Sequence, residues 1–121
     1  MTESRNPDLT LQAGLVEWAT HAFGRQTVDD QRQRAMRCLE EAVELAQALG
    51  LDEAACHRQV SHTYGRPVGE PSQEVAGVIN GALMAAESIG VDGLRVAEAE
   101  LDRVWRCVDE IRIKQLSKVQ P

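Results

Sequence analysis

The chain has 121 residues, of which 43% are hydrophobic and 26% are charged, with a net charge of −6 and a pI near 5.0. The acidic balance argues against a general nucleic-acid binder, which needs a basic face, and the apolar content excludes a disordered polymer. Aromatic residues make up only 3%, whereas residues that favour helices abound. We therefore expect a flexible lead-in over 1–8 and a single all-α domain over 9–118. A helical chain this short buries more surface by pairing with a copy of itself.

The cysteines indicate the compartment. Cys38, Cys56 and Cys107 are odd in number and show no CxxC spacing, as is typical of a reduced, cytoplasmic protein. The N-terminal residues lack an apolar signal core, and no run approaches membrane-spanning length. We therefore expect a cytoplasmic protein without a membrane partner.

The first predicted helix runs from Leu9 to about Phe23, because apolar residues recur there at three- and four-residue steps, and Gly24 ends it. Trp18, His21 and Phe23 lie near its end. These side chains are expected either to pack in the core or to form a wall for a planar ligand such as a nucleobase.

The second predicted helix begins at a cap supplied by Thr27 or Asp29 and ends near Leu49, with Gly50 just beyond it. One half of its wheel is apolar. The other half carries three carboxylates within five positions, Glu40, Glu41 and Glu44. Like charges at these spacings repel each other, and a cation held between them would turn this repulsion into a net attraction. Taken alone, however, this helix favours a solvated polar face.

A short helix capped by Asp52 is expected to run to about Tyr64, followed by a loop over 65–70. The next predicted helix runs from Pro71 to about Ile89. It is apolar nearly all round, which is typical of a buried helix. Glu74 in its first turns therefore needs a cation, a proton or a hydrogen-bonding partner.

Glu74 shares a narrow face of this helix with Glu70, Gly77, Gly81 and Ala85. Each helical glycine costs about 1 kcal/mol relative to alanine. We therefore expect another group to approach the backbone closely there, either a neighbouring helix or a ligand with metal ions.

The last predicted helix runs from about Leu94 toward Lys118, with an apolar, heptad-like seam. Its other faces carry four basic residues, Arg103, Arg106, Arg112 and Lys114. Most of these are expected to be surface charges, and one or two to contact phosphate. The sequence contains no strand-period segment and no repeat.

Two helices thus bring carboxylates that would converge if the helices pack antiparallel: Glu40, Glu41 and Glu44 on one, Glu70 and Glu74 on the other. Magnesium and manganese prefer oxygen ligands and keep positions open for phosphate oxygens and water. Such a site polarises a phosphoryl group and activates a water. The chain has no P-loop, GxSxG or HExxH pattern, and no Glu-x-x-His pair of the di-iron kind.

Residues 39–45, LEEAVEL, resemble the EExxE helix of the MazG-like all-α nucleoside triphosphate pyrophosphohydrolases. The pieces around 18–24 and 73–78 are similar to that family's flanking segments, and the resemblance spans roughly 12–115. It implies a MazG-like bundle of four to five helices that is completed by assembly as a dimer or tetramer. The pattern looks similar to a phage-associated branch, which includes the MazZ enzymes that act on purine deoxynucleoside triphosphates.

The resemblance implies hydrolysis of a (deoxy)nucleoside triphosphate, with dGTP and dATP as candidates, to the monophosphate and pyrophosphate. It makes Glu41, Glu44 and Glu74 direct ligands of Mg²⁺, for which Mn²⁺ can substitute. Glu40 or one of the inner carboxylates Glu41 and Glu44 would orient or deprotonate the attacking water. Gly77 stands where the family has an aspartate, so Glu70 is expected to be the fourth ligand.

The reaction that the resemblance implies also suggests substrate-binding residues. Arg103, Arg106 or Lys114 is expected to neutralise the departing pyrophosphate. Trp18 or Asn80 is expected to hold the base, although Asn80 is equally suited to bond a neighbouring helix. Two rival readings stand beside the enzyme: a non-catalytic helical dimerisation or adaptor module with a solvated glutamate face, and a member of the fold that lost activity with the change at Gly77.

Overall fold

The computed structural model describes residues 4–121, and within that range it contains seven α-helices and no strand. The helices are α1 (Leu11–Phe23), α2 (Arg25–Asp29), α3 (Gln31–Ala48), α4 (Glu53–Tyr64), α5 (Pro71–Ser88), α6 (Gly93–Arg106) and α7 (Val108–Gln115). The all-α prediction is therefore confirmed. Within these residues no single helix is long and apolar enough to cross a membrane. The helices α5 and α6 reach that length and apolar content only when taken as a pair, and the pair is bent by 101°.

Five of the seven described helices begin at a side-chain cap, of which the sequence predicted one. Asp52 caps α4 as predicted, since its carboxylate accepts from the Ala55 amide at 2.8 Å. The prediction of Thr27 or Asp29 as the cap of α3 was wrong. Residues 25–29 form the separate helix α2, and Asp30 caps α3 by accepting from the Gln33 amide at 3.2 Å. The extended backbone of Asp30 separates the two helices.

Three predicted helix ends coincide with glycines in a backbone conformation that other residues rarely adopt. Gly24, Gly50 and Gly90 have φ values of 90°, 96° and 74°. A Cβ atom is strained at such angles, which is why glycine is favoured just after a helix. The predicted ends of the first, second and fourth helices are confirmed.

The predicted last helix is broken into α6 and α7 at Cys107. The Cys107 amide donates to the Val104 carbonyl at 3.2 Å, while its thiol donates to the Arg103 carbonyl at 3.0 Å. The side chain thus takes the acceptor that a continuous helix would give to the amide, and such competition bends helices. The helix also ends at Gln115, earlier than predicted.

The core lies where α1 packs on α6 and α7. Its buried side chains are Ala22, Leu101, Trp105 and Val108. Leu101 and Val108 belong to the apolar seam predicted for the last helix. Close packing depends on Gly14 of α1, where a Cβ atom would lie 3.0 Å from the Leu101 side chain. Arg5 of the predicted lead-in also contacts α6, through an ion pair with Asp102 at 2.9 Å. Residues 1–3 of the lead-in lie outside the described range.

The expectation that the helix after Pro71 is buried was wrong for the single chain. In α5 only Ala86 is buried, and Val75 and Val78 are 59% and 52% exposed. Among the described helices α5 packs on α6 alone. Helix α3 stands off from it across a cavity of about 440 Å³, which we call the interhelical cavity and which both helices line. Apart from the contact with α6, the apolar side chains of α5 therefore have no cover from the other described helices.

Candidate functional site

A second cavity, of about 640 Å³, is enclosed by α1, α3, α6, α7 and the residues after α7. We call it the charged cavity, and its lining consists of Trp18, Glu41, Glu44, Glu100, Arg103, Val104, Cys107, Glu110, Ile111, Lys114 and Lys118. Five of these were singled out in the sequence: Trp18, Glu41, Glu44, Arg103 and Lys114. The fold therefore collects an aromatic side chain, carboxylates and cations from distant parts of the chain around one space.

The Glu41 carboxylate of α3 is under electrostatic stress in this cavity. Glu41 and Glu44 lie one turn apart on the helix. Desolvation, followed by the charges of Glu44 and Glu40, raises the pKa of the Glu41 carboxyl. A bound cation would relieve this stress, because it favours the ionised form of the Glu41 carboxyl.

Three cations line the cavity, Arg103 from α6, Lys114 from α7 and Lys118 from the residues after α7. Arg103 donates to the Glu100 carboxylate at 2.7 Å, and this hydrogen bond and charge raise the pKa of the Arg103 guanidinium. Lys114, three turns further along, has no ion pair with any described residue. Its ammonium is thus the least committed of the three positive charges that an anionic ligand would meet, because Arg103 and Lys118 are paired with Glu100 and Glu40.

The aromatic side chains of α1 were expected either to pack in the core or to form a wall for a ligand, and the structure shows residues in both positions. His21 stacks on the buried Trp105, with ring centroids 5.3 Å apart, and Phe23 meets Trp18 edge to face at 5.7 Å. Trp18 also lines the charged cavity. Its indole nitrogen is buried and has no acceptor among residues 4–121. His21 and Phe23 therefore serve packing, whereas Trp18 is available to a ligand.

Glu40 is separated from the other glutamates of α3. Its Oε1 lies 2.8 Å from the Lys118 ammonium and 3.7 Å from Nη1 of Arg37. The hydrogen bond from Lys118 lowers the pKa of the Glu40 carboxyl. Glu40 does not line the charged cavity. A carboxylate with a lowered pKa and a bound cation is poorly suited to accept a proton from water.

Glu70 and Glu74 also lie away from the charged cavity. Glu70 is the N-cap of α5, where it accepts from the amides of Ser72 at 3.1 Å and Gln73 at 2.9 Å. The Ser72 hydroxyl and these amides lower the pKa of the Glu70 carboxyl. Proline at the first position of a helix marks the preceding residue as the cap, so Pro71 was the sequence signal. The Glu74 carboxylate folds back against Gly69, where a Cβ would overlap it.

The convergence of carboxylates from α3 and α5 is therefore absent from the single chain. Within residues 4–121, no three His, Cys, Asp or Glu side chains stand close enough together to hold a metal ion. The physical reason is the separation of α3 from α5. Position 77 nevertheless faces the glutamate helix, because Gly77 and Glu41 both line the interhelical cavity.

Two further predicted residues, Asn80 and Arg106, are exposed and line neither cavity. The sequence reasoning missed three charged residues of the charged cavity, Glu100, Glu110 and Lys118. A signal for them existed, since polar lining residues recur at three- and four-residue steps at positions 100, 103, 107, 110, 114 and 118. The apolar seam was interpreted as a packing face, although its residues Val104 and Ile111 line the same cavity.

Comparisons of the chain with protein-family models, with curated proteins and with solved structures gave no match. The charged cavity consequently carries the functional assignment.

Proposed function

We propose that this protein is a Mg²⁺-dependent nucleoside triphosphate pyrophosphohydrolase, which converts a (deoxy)nucleoside triphosphate and water to the monophosphate and pyrophosphate. The observation that carries the proposal is the charged cavity, where Glu41 and Glu44 of α3 share one space with Arg103, Lys114 and the Trp18 indole. A magnesium triphosphate is complementary to this lining. It offers a divalent cation to the carboxylates, phosphate oxygens to the basic side chains and a flat base to the indole.

The residues present fit magnesium. This ion keeps several waters and is commonly bound through one or two carboxylates together with substrate phosphates, so Glu41 and Glu44 suffice as protein ligands. When bound, it supplies Lewis-acid polarisation of the phosphoryl group, and manganese supplies the same. Glu70 and Glu74 join the proposed ligand set only if α5 moves against α3.

The side chains of the cavity have distinct proposed roles. Glu41, which lines the charged cavity, is better placed than Glu40 to orient the attacking water. Arg103 and Lys114 neutralise the charge that develops on the departing pyrophosphate. Trp18 holds the base, and a purine offers the larger face to it. We therefore name dGTP and dATP as the first substrates to test.

We further propose that the active form is a homodimer or homotetramer. The chain exposes 9456 Å² of surface, whereas a compact 13.3 kDa protein exposes about 6,500 Å². The excess of about 3,000 Å² is enough for one extensive obligate interface or two smaller ones. We favour a second copy of this chain as the partner that covers this surface, because the exposed surface includes large apolar side chains of α3, α4 and α5: Leu39, Val43, Leu45, Leu49, Val60, Val75, Val78 and Ile79.

The proposal includes a location in the cytoplasm of a bacterium or a phage-infected host. Cys38, Cys56 and Cys107 are all free thiols. Free thiols are typical of reducing compartments.

The test is to incubate the protein with a panel of ribo- and deoxyribonucleoside triphosphates and to measure pyrophosphate and phosphate release separately. We expect pyrophosphate and monophosphate in equal amounts, with no release after chelation of divalent cations. Glu44→Gln should lower kcat/KM by about 100-fold or more, because it removes one of two proposed metal ligands. Glu98→Gln is the matched control, since Glu98 is exposed on α6 outside the charged cavity.

Absence of pyrophosphate with every triphosphate would refute the enzyme and leave the helical dimerisation or adaptor module as the better explanation. Full activity of Glu44→Gln would show that the metal lies elsewhere.

A further inference from the structure

Residues 116–121 turn back from the end of α7 onto the first half of α3, and we call them the strap. The Arg37 guanidinium of α3 donates to the Val119 carbonyl. The Gln33 amide donates to the Gln120 side chain, whose own amide donates to the Lys118 carbonyl at 3.1 Å. These bonds hold the strap against the helix that carries the proposed metal ligands.

The strap places Lys118 between Glu40 and the charged cavity. Its ammonium is 2.8 Å from Oε1 of Glu40, and its side chain is only 25% exposed. The same residue lines the charged cavity with Glu41 and Lys114. An ammonium group has three N–H donors. One of them satisfies Glu40, so the others are available to an anion in the cavity.

We propose that Lys118 is a substrate-binding residue of the charged cavity, whose ammonium contacts the phosphates of the bound triphosphate. This inference rests on the pyrophosphohydrolase function proposed above. Glu40 then acts as a positioning residue, because its ion pair fixes the Lys118 ammonium at the cavity. The role replaces the metal-site or water-activating role that the sequence suggested for Glu40.

The competing explanation is that the Glu40–Lys118 pair only fastens the strap. A double-mutant cycle separates the two. If the pair is all that Lys118 provides, Lys118→Met has no further effect once Glu40 is replaced by Gln. If Lys118 binds phosphate, its loss weakens binding in either background.

The experiment measures KM for dGTP, and the Kd of inorganic tripolyphosphate with Mg²⁺ by calorimetry, for wild type, Lys118→Met, Lys118→Arg, Glu40→Gln and the double variant. We expect Lys118→Met to raise both constants by about tenfold, which is the loss of one charge-assisted contact, with kcat little changed. Lys118→Arg should retain most of the affinity. In the Glu40→Gln background Lys118→Met should still weaken binding, but by a smaller factor, because Lys118 is no longer held at the cavity there.

Arg58→Met is the control for lost positive charge, because Arg58 is exposed on α4 and lies outside the charged cavity. Circular dichroism checks that each variant keeps its helices. Unchanged constants for Lys118→Met, or an effect that vanishes in the Glu40→Gln background, would overturn the inference while leaving the enzyme intact. Failure of the proposed function shows instead as a wild type that releases no pyrophosphate, and tripolyphosphate binding then still decides whether Lys118 holds phosphate.

Discussion

At the scale of single residues, Glu40 and Glu41 are neighbours with opposite electrostatic environments. A hydrogen bond from Lys118 lowers the pKa of Glu40. Desolvation and two neighbouring glutamates raise the pKa of Glu41. Groups with a raised pKa are enriched at functional sites because their charged form awaits a partner. Of these two residues, Glu41 is the one that the fold leaves electrostatically unsatisfied, and it is therefore the better candidate for function.

The two residues should affect stability in opposite directions. A lowered pKa means that ionised Glu40 stabilises the folded state above its ordinary pKa of 4.5, and that this stability is lost as pH falls through the lowered value. A raised pKa means that ionisation of Glu41 costs stability as pH rises above 4.5. In metal-free buffer at neutral pH we expect Glu40→Gln to lower the free energy of unfolding and Glu41→Gln to raise it, each by about 1 kcal/mol or less, because both groups are partly exposed.

Urea unfolding at about pH 7 and about pH 3 measures this, since at the lower pH the carboxyl groups are protonated and the differences should shrink. Glu98→Gln serves as the exposed control. Effects of the same sign for Glu40 and Glu41 would contradict the assignment of their environments.

At the scale of secondary-structure elements, the contact of α1 with α6 positions the aromatic wall of the charged cavity. Gly14 allows the α1 backbone to approach the buried Leu101 of α6. Trp18 follows one turn after Gly14, and Arg103 lies two residues after Leu101. The distance between the two helices therefore determines how far the indole stands from the guanidinium across the cavity.

We expect Gly14→Leu to lower the free energy of unfolding by about 1–3 kcal/mol, because the added side chain overpacks a core that has no space beside Leu101. Ala13→Leu is the matched control, since Ala13 is exposed on the same helix and surface changes usually stay within about 0.5 kcal/mol. Denaturant titration measures both. Equal stability of Gly14→Leu and wild type would show that α1 does not pack on α6 as closely as described.

At the scale of the whole molecule, the single chain has a small core and a large uncovered apolar surface. The core joins α1, α6 and α7, while α3 and α5 face each other across the interhelical cavity without packing. A second copy that covers these helices would provide the missing burial. It would also complete the walls around Glu41, which lines both cavities.

Val78→Glu tests the proposed assembly, because Val78 lies on α5 at the interhelical cavity. Burying an unpaired carboxylate costs several kcal/mol, so we expect the self-association of this variant to weaken by about 100-fold or more. Sedimentation velocity over a concentration series measures the change. Val68→Glu is the matched control, since Val68 is fully exposed in the loop before α5. A wild type that stays monomeric at micromolar concentrations, or an unchanged Val78→Glu, would contradict the assembly.

The sequence by itself determined the features that depend on neighbours along the chain. The cap at Asp52, the glycine ends at Gly24, Gly50 and Gly90, and the juxtaposition of Glu41 with Glu44 all follow from helix geometry within one or two turns. The sequence did not predict the short helix α2 or the break between α6 and α7 at Cys107. At these points side chains compete for backbone groups, and a periodic pattern does not register that competition.

Only the tertiary structure decided which charges share a space. The partner of Glu40 is 78 residues away in the sequence, and the apolar pattern of α6 and α7 does not indicate that their charged side chains meet Glu41 and Glu44 in one cavity. Glu70, with a carboxylate as suitable for a metal as Glu44, is instead occupied by the amides at the start of α5. Helix periodicity predicts which residues share a face, but the choice of partner for that face depends on how whole helices pack.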